Sequence, residues 1–311
     1  MRHARTAPRG GEAVNQSPVK DRIPPGEWLT PGHLACAGCG GSIAMRLVLK
    51  ALGPETIVTS PAYPWTILAG PESRSALRVP HLRVTPGGAA AAASGIRAAL
   101  DEQGDRGTTV LAWAEAGDMS SAGLQALSDA AERNEDILFV CHEAGAGTAA
   151  GLPCPPAGRE DLREVADPTG APALRPGKDL IGILAAHRIP YAATSTIAHP
   201  VDLVEKVNKA RAIRGTRFLL VLAPCPPAWQ VPSAETIDLA RQAMRTRVFP
   251  LFEVENGQRW RFTADHPGDP VEPYLRRQGR YGHLTSGQIR RLQSEVDARW
   301  ELLKRRVEAG V

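Results

Sequence analysis

Cys36 and Cys39 stand three residues apart in the run CAGCGG, in a chain that has five cysteines in all. Thiols at that spacing have three uses. They can clamp a metal, because a CxxC turn lets two soft sulfur ligands reach one metal-bearing face; they can cycle as a redox dithiol; or they can fill space as small apolar side chains. Two other places combine reactive types. EAGDMSSAG (115–123) offers a carboxylate in a glycine-bearing turn, and CHEAGAG (141–147) places His142 and Glu143 side by side.

Composition narrows the setting of this chemistry. With 311 residues, 43% of them apolar, the chain can bury a substantial core as one large α/β domain or two smaller ones. Its net charge of +4 arises from 37 basic and 33 acidic residues spread along the sequence, which is not the footprint of a nucleic-acid binder. No apolar run approaches the roughly 18 residues of a membrane span, and the Arg-rich start MRHARTAPRGG is not followed by an apolar signal segment. A cytoplasmic protein is expected, with neither nucleic acid nor membrane as partner. In a reducing compartment a close cysteine pair serves a metal or redox site more often than a structural disulfide.

The elements that must position these residues follow from periodicity. TIVTS (56–60), TTVLAWA (108–114), DILFVCHE (136–143), PYAATST (190–196) and RFLLVLAPC (217–225) read as strands. Between them GSIAMRLVLKAL, GGAAAAASGIRAAL, SSAGLQALSDAAER, KDLIGILAAH and PVDLVEKVNKAR carry apolar residues at helical spacing. Such alternation predicts an α/β fold with a doubly wound, mostly parallel sheet, whose ligands gather at the carboxyl ends of the strands. His142 and Glu143 end such a strand, where an acid/base role is open to them alongside ordinary hydrogen bonding. Residues 1–27, rich in Pro, Gly and charge, read as a flexible N-terminal arm, and 144–177 as a long Gly/Pro-rich loop. After Ser286, the expected N-cap, Ile289, Leu292, Val296, Trp300 and Leu303 share one face of a C-terminal helix that should dock on its own core or on a partner.

Five collinear segments carry a family resemblance: GHLACAGCGGSIAMRLVLKALG, GLQALSDAAERN, AAHRIPYAATSTIAHPVDLVEKV, VLAPCPPAW and PVEPYLRRQGRYGHLT. From about residue 29 to 303 the chain resembles the β subunit, the thiamine-diphosphate-binding subunit, of pyruvate and other 2-oxoacid:ferredoxin oxidoreductases. The resemblance implies a thiamine-diphosphate-binding α/β domain over 28–250 and a tail with a docking helix over 251–311. It also implies an iron-sulfur cluster on Cys36, Cys39 and Cys225, with a fourth family cysteine falling near Tyr63. His33, Cys154, Tyr63 or a small molecule would then complete the site. A Cys₃His zinc site with His33, or no metal, remains open beside it.

The family holds thiamine diphosphate through Mg²⁺, using the Asp of a Gly-Asp-Gly turn and the Asn of an Asp-Asn-Glu turn. Aligned at GLQAL without a gap, these fall on Ala116 and Ala144, and neither side chain can coordinate a metal. What remains is Gly117 and Asp118 in a shifted turn, with Met119 where the second glycine belongs, and Glu143 one position early. Asp118 has an alternative use as a helix cap near Ser120. Gly87 and Gly88 stand where the family carries Glu-Asn. GGAAAAASG (87–95) could offer backbone amides to a phosphate, or pack tightly as alanines. Trp65, Trp113 and Trp229 fall near the coenzyme face and equally suit a core.

The resemblance implies a β-type subunit that, with an α-type partner, decarboxylates a 2-oxo acid such as pyruvate oxidatively. Electrons would pass to iron-sulfur centres and ferredoxin, with coenzyme A as acyl acceptor, and the altered turns imply an impaired thiamine site. The alternatives are a repurposed homologue carrying a three-cysteine cluster without thiamine diphosphate, or a zinc-stabilised scaffold.

Overall fold

The computed structural model describes residues 21–62, 69–70, 75–119, 122–144 and 178–310. The strands are β1 (Thr56–Pro61), β2 (His81–Val84), β3 (Thr109–Glu115), β4 (Leu138–Glu143), β5 (Tyr191–Thr196), β6 (Arg217–Leu222), β7 (Phe252–Glu255) and β8 (Arg259–Phe262). The helices are α1 (Gly40–Leu52), α2 (Ala89–Glu102), α3 (Ala116–Met119), α4 (Ala122–Glu132), α5 (Leu180–Ala186), α6 (Pro200–Ala212), α7 (Pro226–Trp229), α8 (Thr236–Arg245), α9 (Val271–Arg276) and α10 (Ser286–Ala309).

One eight-stranded sheet runs in the order β2-β1-β3-β4-β6-β5-β7-β8. The first six strands are parallel; β7 pairs antiparallel with β5, and β8 with β7. Every residue of β4, β5 and β6 is buried, as central parallel strands must be when helices cover both faces. The chain leaves β1 toward β2 on one side and returns to β3 on the other, so the ligand-prone crevice opens beyond the carboxyl ends of β1 and β3. Phe139 stacks on Phe218 across β4 and β6 at 5.9 Å, and Trp113 lies fully buried beneath the crevice.

Each expected strand and helix is present within a few residues, and the doubly wound sheet is the one foreseen. Four differences have physical causes. The short edge strand β2 and the hairpin β7–β8 lacked a local signal, since their pairing partners lie far away in sequence. The hairpin extends the sheet beyond the boundary drawn at residue 250, and Lys206 fastens it there. This buried ammonium donates to Thr194 O (2.7 Å) and Thr263 Oγ1 (2.7 Å) and pairs with Asp202 (2.8 Å). The described end of the arm, residues 21–27, is not loose: Glu27 pairs with Arg46 (2.6 Å) and Lys50 (2.6 Å), and Lys50 donates to the carbonyls of Pro24, Pro25 and Gly26. The rest of the arm and loop residues 145–177 lie outside the described residues.

The C-terminal helix corrects its cap by one residue. Thr285, not Ser286, is the N-cap, in a reciprocal capping box with Gln288. Ile289, Leu292, Val296 and Leu303 are buried against the chain's own core, and Trp300 stacks on Phe262 at 4.7 Å. Among the described residues no helix is long and apolar enough to cross a membrane.

Candidate functional site

The CxxC turn is shaped by its glycines. Gly38 adopts φ +71° and Cys39 N–H donates to Cys36 O at 3.1 Å, closing a tight turn that hands the chain into α1 with Cys39 as N-cap. Gly40 N–H then donates to Pro224 O at 3.1 Å, and a Cβ at Gly40 would lie 2.4 Å from the carbonyl carbon of Ala223. Only glycine lets the first cysteine turn press against the segment that ends in Cys225. Cys225 caps α7 just beyond β6, so strand order carries it across 189 residues of sequence (225 − 36) to the CxxC turn. Burial pushes the Cys225 thiol up, and Cys39, Glu115 and Cys36 add to that from close range. Cys36 is exposed, while Cys39 and Cys225 are half-buried.

The three thiols therefore share one corner, with the donor softness that iron or zinc requires. Among the described residues, however, no group of three or more His, Cys, Asp or Glu side chains is arranged to hold a metal ion. His33 Nδ1 accepts from the Ala35 N–H at 3.3 Å. Tyr63, Trp65 and Cys154 lie outside the described residues.

The first coenzyme-type turn has become a short helix, α3. Ala116 in it is wholly buried, and Gly117 is half-buried. Asp118 Oδ1 accepts the Gly87 N–H at 2.7 Å, so its carboxylate ties α3 to the turn before α2. Burial raises the Asp118 carboxyl, the Gly87 bond opposes this, and Glu115 pushes it up further. Burial likewise raises Glu115. Glu143 is almost wholly buried at the end of β4. Cys141 beside it is held far above the usual thiol range by burial and then by Glu143, Glu115 and Asp118, so three carboxylates converge on the mouth of the crevice.

His142 is not poised for proton transfer at neutral pH. Burial lowers it to about 4 against the opposing bond between its Nδ1 and Ala114 O (3.0 Å), and its ring stacks on Trp113 at 5.2 Å. The second coenzyme-type turn is also braced. Ala223 N–H donates to Glu143 O (2.9 Å), and the Trp229 indole donates to Ala144 O (2.7 Å). Arg280 from the tail stacks over Trp229 (4.0 Å) and Tyr281 (4.6 Å) and donates to Gln278 Oε1 (2.9 Å).

Sequence reasoning missed Glu115, which stands between the carboxylates of the crevice and the thiol corner. It stood only as the first residue of the EAGDMSSAG turn, just past the expected strand 108–114. It also missed the strut from Arg280 through Trp229 to Ala144; the RQGRY segment was the available signal, since Arg beside Tyr with a distant Trp suits a stacked guanidinium. Magnesium requires near-octahedral oxygen ligands; of the positions expected to supply them, Ala116 and Ala144 carry no oxygen on their side chains, and Asp118 accepts the Gly87 amide through Oδ1.

The chain is 38% identical to the pyruvate synthase subunit PorB of Methanocaldococcus jannaschii over 293 residues, 91% of this chain and 98% of that protein. It is also 38% identical to the ketoisovalerate oxidoreductase subunit VorB of Pyrococcus horikoshii over 303 residues, 93% and 97% of the two chains. Among solved structures, the 2-oxoglutarate:ferredoxin oxidoreductase from Magnetococcus marinus, with 2-oxoglutarate, coenzyme A and succinyl-CoA bound, covers 90% of this chain at 16% identity with a TM-score of 0.49. No family model matches the chain.

Proposed function

The chain belongs to the family of β-type subunits of 2-oxoacid:ferredoxin oxidoreductases, and from that premise we propose that it serves in such a complex with its own Mg²⁺–thiamine diphosphate seat impaired. The observation that carries this reading is the Asp118–Gly87 bond. Asp118, two residues from the family's aspartate position, spends a carboxylate oxygen on closing the turn in which a diphosphate would sit. Glu115 and Glu143, brought to the same mouth, add negative charge where an anionic coenzyme needs a cation.

In this reading the chain supplies a scaffold for an α-type partner and a thiol corner. Cys36, Cys39 and Cys225 would hold an iron-sulfur cluster, which, when bound, transfers single electrons toward ferredoxin. The backbone contact at Gly40 that brings the two segments together supports that assignment, and the three thiols, which do not form a metal-holding group as they stand, would have to draw closer around the cluster. The 2-oxo acid, such as pyruvate, and any coenzyme A acceptor would meet the complex where a competent thiamine site exists. The same geometry favours the second reading, a repurposed homologue with a three-cysteine centre and no thiamine diphosphate.

Calorimetric titration of the anaerobically purified chain, with its co-expressed partner, separates the possibilities. Thiamine diphosphate is expected to show no Mg²⁺-dependent binding to this subunit. Stoichiometric Mg²⁺-dependent binding together with 2-oxoacid-dependent dye reduction would overturn the impaired-site reading. Iron with sulfide and broad visible absorption supports the cluster, and zinc alone rejects it.

A further inference from the structure

The bond from Cys39 N–H to Cys36 O (3.1 Å) joins the first and fourth residues of a β-turn, with Gly38 at its third position supplying a φ of +71°. Such a turn sets the Cα atoms of Cys36 and Cys39 less than about 7 Å apart, the span across which a disulfide closes. The turn is pinned on both sides. A Cβ at Gly38 would lie 2.4 Å from Ser233 O, and the Thr236 hydroxyl at the start of α8 donates to Gly38 O at 2.9 Å, shared with Ser233 O at 3.0 Å. On the other side Gly40 N–H holds Pro224 O at 3.1 Å. Anchored at Gly38 and Gly40, the backbone between the two thiols has little freedom left to lose when a ring closes there.

The thiols of the corner differ in access and in engagement. Cys36 is exposed, so a molecule from solution meets it first, while Cys39 is half-buried at the N-cap of α1. Cys225 is engaged elsewhere: its sulfur accepts the Ala228 N–H within α7. Among the described residues the three thiols form no metal-holding group as they stand, whereas the closed turn already brings two of them within the span of a disulfide.

We propose that Cys36 and Cys39 are a reversible redox dithiol that exchanges with low-molecular-weight disulfides, a second use of the pair beside the holding of a metal. The Cys36 sulfur attacks one sulfur of the small disulfide, forming a mixed disulfide and releasing one small thiol. The Cys39 sulfur then attacks the Cys36 sulfur, closing the Cys36–Cys39 bond and releasing the second. The cysteine pair is oxidised by two electrons, the small disulfide is reduced by two, and the two cysteine protons leave on the released thiols. A disulfide sulfur is no longer an anionic thiolate ligand, so the oxidised corner takes up no cluster; this consequence alone rests on the cluster reading.

The test uses the full chain, made metal-free by chelation under argon and equilibrated in glutathione redox buffers, then quenched in acid, alkylated and digested for mass spectrometry. Both cysteines fall on one tryptic peptide, residues 23–46, so the disulfide reads as loss of both alkyl labels from it. The exchange equilibrium constant with oxidised glutathione is expected to be at least about tenfold higher for the folded chain than for the chain unfolded in urea, because only the fold pins the turn. Thr236→Val, which releases Gly38 O, should lose part of that margin, and Cys39→Ser should stop at a mixed disulfide of Cys36 with glutathione. A folded chain no more readily oxidised than the unfolded one, a parent that stops at the mixed disulfide, or a bond to Cys225 instead would each overturn the proposal. Iron uptake on reconstitution, compared between the oxidised chain and the same chain reduced with dithiothreitol, reads the cluster separately. Uptake by neither refutes the cluster reading and leaves the disulfide decided by the peptide, and equal uptake by both overturns the exclusion.

Discussion

Replacing Gly40 by alanine tests whether the thiol corner is held together by close backbone contact. Gly40 opens α1 with an ordinary negative φ, so alanine meets no torsional penalty there and the effect is purely steric. The new Cβ would lie 2.4 Å from Ala223 C, 2.5 Å from Pro224 O and 2.7 Å from Ala223 O. All three are backbone atoms, which cannot swing aside as a side-chain tip can. To restore ordinary contact the CxxC turn and the Cys225 segment must part by about 1 Å, a gap that forfeits much of the local dispersion attraction. It also stretches the bond from Gly40 N–H to Pro224 O. Overpacking costs about 1–3 kcal/mol and the hydrogen bond about 1 kcal/mol, so Gly40→Ala should destabilise by about 2–4 kcal/mol. At about 2 °C per kcal/mol for a chain of this size, the melting temperature should fall by about 4–8 °C, and iron and sulfide per chain should drop with it. Gly95→Ala is the control: it lies in α2 with no heavy atom within 4 Å of the added Cβ, and should stabilise by about 0.5–1 kcal/mol. A Gly40→Ala protein that melts within about 1 °C of the parent with undiminished metal would refute the reasoning.

Acid should destabilise the fold through its buried histidines. His142 has a folded value of about 4, below the unfolded 6.5, so its contribution of about 3 kcal/mol is fully present above pH 6.5 and lost as pH falls toward 4. His266, also lowered to about 4 by burial, acts in the same direction. Glu115 and Asp118, whose values are raised, act oppositely and lose their contribution as pH rises through those values. Urea midpoints measured from pH 7 to 4 should fall for the parent, and a flatter profile is expected for His142→Gln; a parent profile that stays level would sink the assignment. Trp229→Phe removes the donor to Ala144 O and should cost about 1–3 kcal/mol in urea unfolding, with faster hydrogen exchange at the Ala223 amide that bonds Glu143 O. Unchanged exchange there would mean that the strut does not brace the second turn. Glu115→Gln removes one of the negative charges that hold the Cys225 thiol up, so alkylation of Cys225 in metal-free protein at pH 8 should quicken about two- to fivefold. An unaltered rate would place Glu115 outside the thiol corner.

The sequence by itself determined whatever depends on neighbours within a turn or two. Short runs rich in β-branched, aromatic and small residues, bounded by turn signals, mark β4, β5 and β6, and one-sided burial writes the Ile289–Leu303 stripe of α10, so these were legible without coordinates. Tertiary structure alone decided what the side chains of the site face. Asp118 found its partner at Gly87, 31 residues earlier, because β2 and β3 flank β1 and bring the turns after them together. Glu115 became a neighbour of Cys225 because only β4 lies between β3 and β6, and Phe252–Glu255 became a strand because β5 offered it an open edge. Secondary structure follows from periodic burial along the chain, whereas the charge felt by a carboxylate or thiol depends on which crossover delivers its neighbours. No local pattern encodes that delivery.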